Sequence, residues 1–263
     1  MIRKLLEENK YEIISLLQED SILNCYLIGD VENTGFNNPN VTFYGEYIEG
    51  ELQTVYMAYH RYGMIYSKGV NLDINLIDVI KKSKVSYLSG GEKTISRYSD
   101  FFTDKGYRNM TLAILEQKTI EKPVIEYKVL SNENDMGELY DLLVIFEEFN
   151  VKDQTKEDFI LEKLELNEFG TTYAIYDNGK IVATASTISE TSTNAVINGV
   201  ATKVEYRNKG LASKLVDQII YDYNVLKRKA LILYYDNPEA ASIYKRKGFI
   251  DYGVWSSITI NQG

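Results

Sequence analysis

The sequence predicts an α/β chain of two domains laid out on one plan. Its 263 residues are more than one ordinary small domain needs and suit two of about 130 each. Along the chain, apolar residues switch repeatedly between helical and strand spacing. A helix leading into a Lys-Gly-aromatic turn and then a strand occurs twice, ending at Lys105-Gly106-Tyr107 and again at Lys247-Gly248-Phe249.

The first domain reads as a helix over 4–17, then strands over 41–48 and 52–59 joined by a turn at Glu49-Gly50. A helix carrying Ile74, Ile77 and Ile80 leads to a strand over 85–88. Tyrosine is abundant, 22 residues in all, and several (Tyr47, Tyr56, Tyr59, Tyr62) join Phe43 in strand-like runs, where large aromatics suit a half-buried sheet face. The polar stretch that follows holds Pro123, which cannot sit in a central strand. The expected division is therefore a domain at 1–118, a linker at 119–126 and a second domain at 127–263.

In the second domain a short strand over 127–130 precedes a helix over 132–149, marked by Leu139, Leu142, Leu143 and Phe146, and a second helix runs through 159–166. Strands over 171–176 and 180–188 flank Asp177-Asn178-Gly179, a hairpin turn whose glycine tolerates positive φ. A third strand over 194–204 runs into Arg207-Asn208-Lys209-Gly210-Leu211-Ala212, after which Leu215, Val216, Ile219, Ile220 and Tyr223 recur at helical spacing. A buried strand over 231–235 follows. Asp236, Asn237 and Pro238 open a last helix, Gly248 closes it, and strands over 250–260 end the fold.

Composition limits the function. With 44% hydrophobic and 25% charged residues the chain is a folded protein rather than a disordered one. A net charge of −9 argues against general nucleic-acid or anionic-membrane binding. The charged stretch 1–10 lacks the apolar core of a signal peptide, and no run of about 18 apolar residues occurs, so a cytoplasmic protein is expected. One cysteine, Cys25, forms no intramolecular disulfide, and with one histidine, His60, it supplies no zinc site; no metal is expected. A Ser-His-Asp site would have only His60 to use, and no G-x-S-x-G elbow accompanies it.

Two segments carry chemistry. The 207–212 turn opens a helix, where free N–H groups and the positive end of the dipole can hold a pyrophosphate. Lys203, Arg207, Lys209 and Lys214 gather a local basic patch there in an otherwise acidic chain. Further on, Asn237, Ala240, Tyr244, Gly248 and Phe249 stand in the pattern N-x-x-A-x-x-x-Y-x-x-x-G-F. In this order, after the strand ending Val200-Ala201-Thr202-Lys203, these segments resemble the acetyl-CoA site of the GNAT superfamily of N-acetyltransferases.

The resemblance implies two tandem GNAT-like domains, each a mixed, mostly antiparallel sheet flanked by helices. The N-terminal copy would be degenerate, because it has no R-x-x-G-x-A turn; Ser67-Lys68-Gly69-Val70-Asn71-Leu72 is the nearest substitute. Backbone groups of Val200 and Thr202, around Ala201, would pair with the pantetheine amides of acetyl-CoA, the co-substrate. Arg207, Asn208, Lys209, Gly210, Leu211 and Ala212 would wrap the pyrophosphate, Ala212 keeping the helix start small. Asn237, with Ala240, would lie along the cofactor arm, and Tyr244 would sit beside the thioester sulfur as general acid.

Family members often place a glutamate in the middle of the fourth strand, but the sequence there reads Asn194-Ala195-Val196-Ile197-Asn198. Asn198 is the candidate to hold a relaying water; Glu205 reads as a solvated surface residue. An amine-bearing acceptor, a small molecule or peptide, is implied, with Tyr252, Trp255, Tyr26 and Asn33 as candidate contacts. Two classes of function follow: an acetyltransferase acting on a primary amine, or an acyl-CoA-binding regulatory module without turnover. Turnover with a panel of amines separates them.

Overall fold

The computed structural model describes residues 1–69, 74–102, 106–149 and 151–260. In chain order the first half holds β1 (Ile2–Leu5), α1 (Lys10–Leu17), α2 (Cys25–Asn33), β2 (Val41–Ile48), β3 (Glu51–Tyr59), β4 (Tyr62–Ser67), α3 (Ile74–Lys82), β5 (Tyr87–Gly91), α4 (Glu92–Phe102) and β6 (Arg108–Leu115). After a stretch with no helix or strand come β7 (Lys128–Leu130), α5 (Glu133–Leu143), α6 (Lys156–Leu166), β8 (Thr171–Asp177), β9 (Lys180–Ile188) and β10 (Asn194–Thr202). The chain ends with α7 (Leu211–Ile219), β11 (Ala230–Tyr235), α8 (Pro238–Arg246) and β12 (Ile250–Thr259). Among the described residues no helix is long and apolar enough to cross a membrane.

The chain forms two compact units, and they are not the contiguous halves expected from a cut at 119–126. The first comprises Met1–Ala113, Tyr234–Asp236 and Asp251–Gly263; the second comprises Ile114–Leu233 and Asn237–Ile250. The reason lies in strand pairing: Trp255 to Thr259 of β12 run antiparallel to β5, from Trp255↔Gly91 to Thr259↔Tyr87. The last strand thus completes the sheet of the first unit, and the Ser256 hydroxyl donates to Asn109 Oδ1 at 2.6 Å within it.

In the first unit the strands lie in the order β1-β2-β3-β4-β5-β12-β6. β4 and β5 are parallel, while β1 to β4 and the β5–β12 pair are antiparallel. One core packs α1 and α2 residues (Ile13, Leu17, Leu27, Val31) on Phe43, Val55 and Met57; another gathers Leu76, Ile80, Leu88, Ile95, Tyr98 and Ile258. The expected helix over 4–17 is shorter at its start. Residues 2–5 pair with β2 instead, from Ile2↔Glu46 to Leu5↔Phe43. Gly45 makes this possible, since a Cβ there would meet a Leu5 methyl at 2.9 Å. The expectations that fell on Val70, Asn71 and Leu72, and on Thr103, Asp104 and Lys105, lie outside the described residues.

In the second unit the strands lie in the order β11-β10-β9-β8-β7, parallel between β10 and β11 and antiparallel elsewhere. Leu130, Met136, Leu139, Leu142, Phe159, Ala174 and Ile181 form a core beneath α5 and α6. The helix expected over 132–149 stops at Leu143, with one 3₁₀ turn at Glu147–Phe149. The strand expected to reach residue 204 ends at Thr202, because Val204–Tyr206 forms a 3₁₀ turn.

The helix after Leu211 widens into a π-helix at Ile220–Leu226. This turns Asn224, fully buried, toward the end of β6 and the start of β11. Its side-chain amide donates to the carbonyls of Leu115 at 3.5 Å and Lys229 at 2.9 Å, and to that of Glu116; its Oδ1 accepts the Lys118 N–H at 2.7 Å.

Candidate functional site

The site is built where β10 parts from β11. Their parallel register runs from Asn194↔Ala230 to Ile197↔Leu233 and stops. On its other edge β10 stays with β9, through a bulge between Asn198 and Ala201 at which Gly199 takes φ +59. The Lys203 N–H bonds to the Val182 carbonyl at 2.9 Å, which fixes the alternation. Ala201 and Lys203 therefore turn their backbone groups to β9, while Val200 and Thr202 turn theirs the opposite way, into the gap.

Just past the gap the chain folds into the turn before α7. Asn208 at φ 62 and Gly210 at φ 74 both take left-handed backbone angles. A Cβ on Gly210 would meet nothing within 4 Å, so the glycine serves the angle rather than a close contact. Gly210 is also the N-cap of α7 and has no side chain with which to bond the first N–H groups of the helix. Those groups have no intrahelical partners, and they face outward at the positive end of the dipole.

The cations expected here are present, and among the described residues no carboxylate neutralises them. Arg207 and Lys209 are exposed beside Asn208 and Gly210, with Lys214 one turn into the helix and Lys203 partly buried before it. Among the described residues none of the four forms an ion pair. The Arg207 guanidinium donates to the Thr202 carbonyl at 3.4 Å and lies 5.8 Å from the Phe146 ring centre. Lys209 Nζ stands 4.6 Å over the Tyr206 ring. Glu205 is exposed in the 3₁₀ turn, as a surface residue.

Leu211 and Ala212 form the first turn of α7, with Ala212 partly buried. Asn237 precedes α8, where its carbonyl accepts the Ala241 N–H at 3.0 Å; Ala240 lies on the helix. Tyr244, 8% exposed, sets its ring edge-on to Phe249 at 6.0 Å, and burial pushes its hydroxyl up to about 12. Gly248 at φ 97 closes α8, and the Phe249 N–H reaches back to the Tyr244 carbonyl at 3.1 Å, a Schellman closure.

Asn198 stands at the start of the bulge, with Oδ1 buried and no hydrogen-bond partner. A buried amide oxygen left unbonded is costly, and a water or ligand donor at that point would satisfy it. The structure thus brings 200–202 and 207–212 into one loop-and-strand assembly and sets Tyr244 and Asn237 on a second element, α8 and its cap. Sequence reasoning missed Gly199 and Phe146. The Gly199 bulge had a signal, a glycine inside a strand run; the Phe146 contact had none.

The parallel pair of the first unit is different. Its register stops at Met64↔Ser89, yet the strands stay close: a Cβ on Gly90 would lie 2.4 Å from the Ile65 carbonyl oxygen. Nearby, Arg97 of α4 spends its guanidinium on the Gly69 carbonyl and, at 3.4 Å, on the Thr94 hydroxyl. Among the described residues, the features that suit a phosphate-bearing ligand are thus found in the second unit.

Comparison with known proteins agrees with this division. Residues 136–249 match the family model described as Acetyltransferase (GNAT) family. No curated protein matches the chain. Among solved structures, a Drosophila protein superimposes over 100% of this chain and 99% of its own, with a TM-score of 0.69 at 12% identity. A tandem GNAT protein from the clavulanic acid biosynthesis pathway covers 100% and 99%, with a TM-score of 0.60 at 10% identity. A GCN5-related N-acetyltransferase from Sphaerobacter thermophilus covers 100% and 96%, with a TM-score of 0.60 at 14% identity. At such identities the likeness is one of fold, and it extends over the whole chain.

Proposed function

We propose that the chain, whose residues 136–249 match the acetyltransferase (GNAT) family model, moves an acetyl group from acetyl-CoA to a primary amine of a small molecule or peptide. The observation that carries the reading is the set of four unpaired cations at the start of α7, beside a strand whose open edge lacks a partner. A chain of net charge −9 that keeps this patch unneutralised has a local use for an anion.

The residues fit acetyl-CoA part by part. The pyrophosphate takes the N–H groups of the 207–212 turn, with Arg207 and Lys209 supplying charge. The pantetheine amides pair with backbone groups of Val200 and Thr202 around Ala201, as an added strand would. Asn237 and Ala240 line the arm along α8.

In the reaction the amine nitrogen forms a bond to the thioester carbonyl carbon and the carbon–sulfur bond breaks. The departing sulfur gains a proton, and the nitrogen loses one. Tyr244 supplies the proton to sulfur. Burial pushes its hydroxyl up to about 12, so at neutral pH it carries the proton it has to give. Asn198, with its unbonded Oδ1, holds the water that carries the proton away from the amine.

The test is release of free thiol from acetyl-CoA in the presence of a panel of primary amines. Amine-dependent release, with acetylated product found by mass spectrometry, is the expected outcome. Tight acetyl-CoA binding with no release for any amine would contradict it and leave a binding module without turnover.

A further inference from the structure

A second constellation lies wholly within the first unit and includes Tyr26 and Trp255, two of the residues the sequence offered as acceptor contacts. Tyr26 and Asp30 stand one turn apart on the same face of α2. Tyr234, from the end of β11, stacks on Tyr26 with ring centres 5.3 Å apart. Trp255 of β12 closes on both, 5.8 Å from Tyr26 and 5.5 Å from Tyr234. Trp255 is 4% exposed, whereas Tyr26, Asp30 and Tyr234 are only partly buried and keep a surface to solvent.

The hydroxyl of Tyr234 is engaged, 3.2 Å from the Cys25 sulfur. The Asp30 carboxylate is not: no hydrogen bond or ion pair reaches it among the described residues. Three other acids of this unit have partners. Glu46 accepts the Thr54 hydroxyl at 2.6 Å, Asp20 that of Tyr252 at 2.9 Å, and Asp236 pairs with Arg108 at 2.6 Å.

A carboxylate drawn away from water without a partner is costly, and a cation beside it removes the cost. Burial alone pushes the Asp30 carboxyl up to about 7. The titratable groups that face it, Cys25 and Tyr26, are themselves held neutral by burial, so neither offers a counter-charge. Aromatic faces favour an organic cation, because the ring quadrupole attracts ammonium while the ring body covers its hydrocarbon. A divalent metal is disfavoured, since a single carboxylate is a poor ligand set and no metal-binding cluster occurs among the described residues.

We propose that Asp30, Tyr26 and Tyr234 form a receptor site for an organic ammonium group, the carboxylate pairing with the charge and the tyrosine rings covering the adjoining carbon skeleton. The site stands on the first unit alone and goes beyond the transfer reading.

Trp255 is the only tryptophan in the chain, so its emission reports on the cluster directly. The full chain is titrated without acetyl-CoA, at about pH 8 where alkylamines are charged, with phenethylammonium, tetramethylammonium and the neutral 2-phenylethanol. Both cations are expected to shift the emission saturably, and the alcohol to bind at least about tenfold more weakly than phenethylammonium. Asp30→Asn keeps the shape and removes the charge; it is expected to erase that preference while melting no lower than the parent without ligand. Tyr26→Leu is expected to weaken both cations.

No saturable shift with either cation, equal binding of amine and alcohol, or unchanged affinity in Asp30→Asn would each overturn the proposal. So would a lowered melting temperature in Asp30→Asn, which would show the carboxylate serving the fold. Because acetyl-CoA is absent, failure here leaves the transfer reading standing, and failure of acetyl transfer leaves this titration unchanged.

Discussion

The Arg207 guanidinium donates to the carbonyl oxygen of Thr202 across 3.4 Å, and so ties the charged turn before α7 to the strand edge that β11 has left. The bond thereby links the turn proposed for phosphate to the strand edge proposed for an extended amide chain. Arg207→Ala is expected to weaken acetyl-CoA binding by about tenfold, or ~1.4 kcal/mol. The salt dependence of binding should fall with it, since one exposed cation is lost. Isothermal titration at two ionic strengths measures both; an unchanged affinity would remove Arg207 from the site.

In the proposed mechanism Tyr244 acts only as charge appears on sulfur. Tyr244→Phe should therefore leave acetyl-CoA affinity nearly unchanged and lower kcat by roughly 10 to 10⁴-fold. With its hydroxyl pushed up to about 12, Tyr244 keeps its proton well beyond the ordinary tyrosine range. The parent enzyme should accordingly show no fall in kcat between about pH 8 and 10. A descending limb in that window, absent from Tyr244→Phe, would mean that the phenol titrates where an ordinary one does.

The two units exchange chain, which bears on truncation. Trp255, Ile258 and Ile260 are buried in the first unit, where β12 pairs with β5. A chain beginning at residue 126 would leave that strand with an open apolar edge. It is expected to be insoluble or to self-associate by light scattering. A monomer with the parent's melting temperature would show that β12 does not need β5.

Asn224 is a stability residue rather than a catalytic one. Its amide serves the carbonyls of Leu115 and Lys229 and the Lys118 N–H, the first bond buried and the other two partly so. Asn224→Ala strands these groups and should cost ~2–4 kcal/mol, read as a lowered melting temperature, with the affinity of the remaining folded protein for acetyl-CoA unchanged.

How much of this was legible in the sequence depends on whether the cause is local. The turn at 207–212 was readable because a glycine at positive φ and a helix start are properties of neighbouring residues. The close of α8 at Gly248 was readable for the same reason. β1 was not, because residues 2–5 pair only where Gly45, some 40 residues on, leaves room for Leu5. The π-helix at Ile220–Leu226 follows from distant carbonyls that Asn224 satisfies, and no local pattern announces them. The run that forms β12 reads as a strand, but nothing in it says which sheet it will join. The same limit hid Tyr234 and Tyr26, which meet near Trp255 only once β11, α2 and β12 have folded together.

The central claim is that acetyl-CoA is held by the second unit, at the 207–212 turn, and nowhere else. Calorimetric titration of the full chain and of Gly210→Glu tests it most directly. The substitution puts a carboxylate into the open space before α7 and an L side chain at φ 74. The account expects one acetyl-CoA per chain for the parent and no measurable binding for Gly210→Glu with its fold intact by circular dichroism. Two equivalent sites per chain, or undiminished binding by Gly210→Glu, would contradict it.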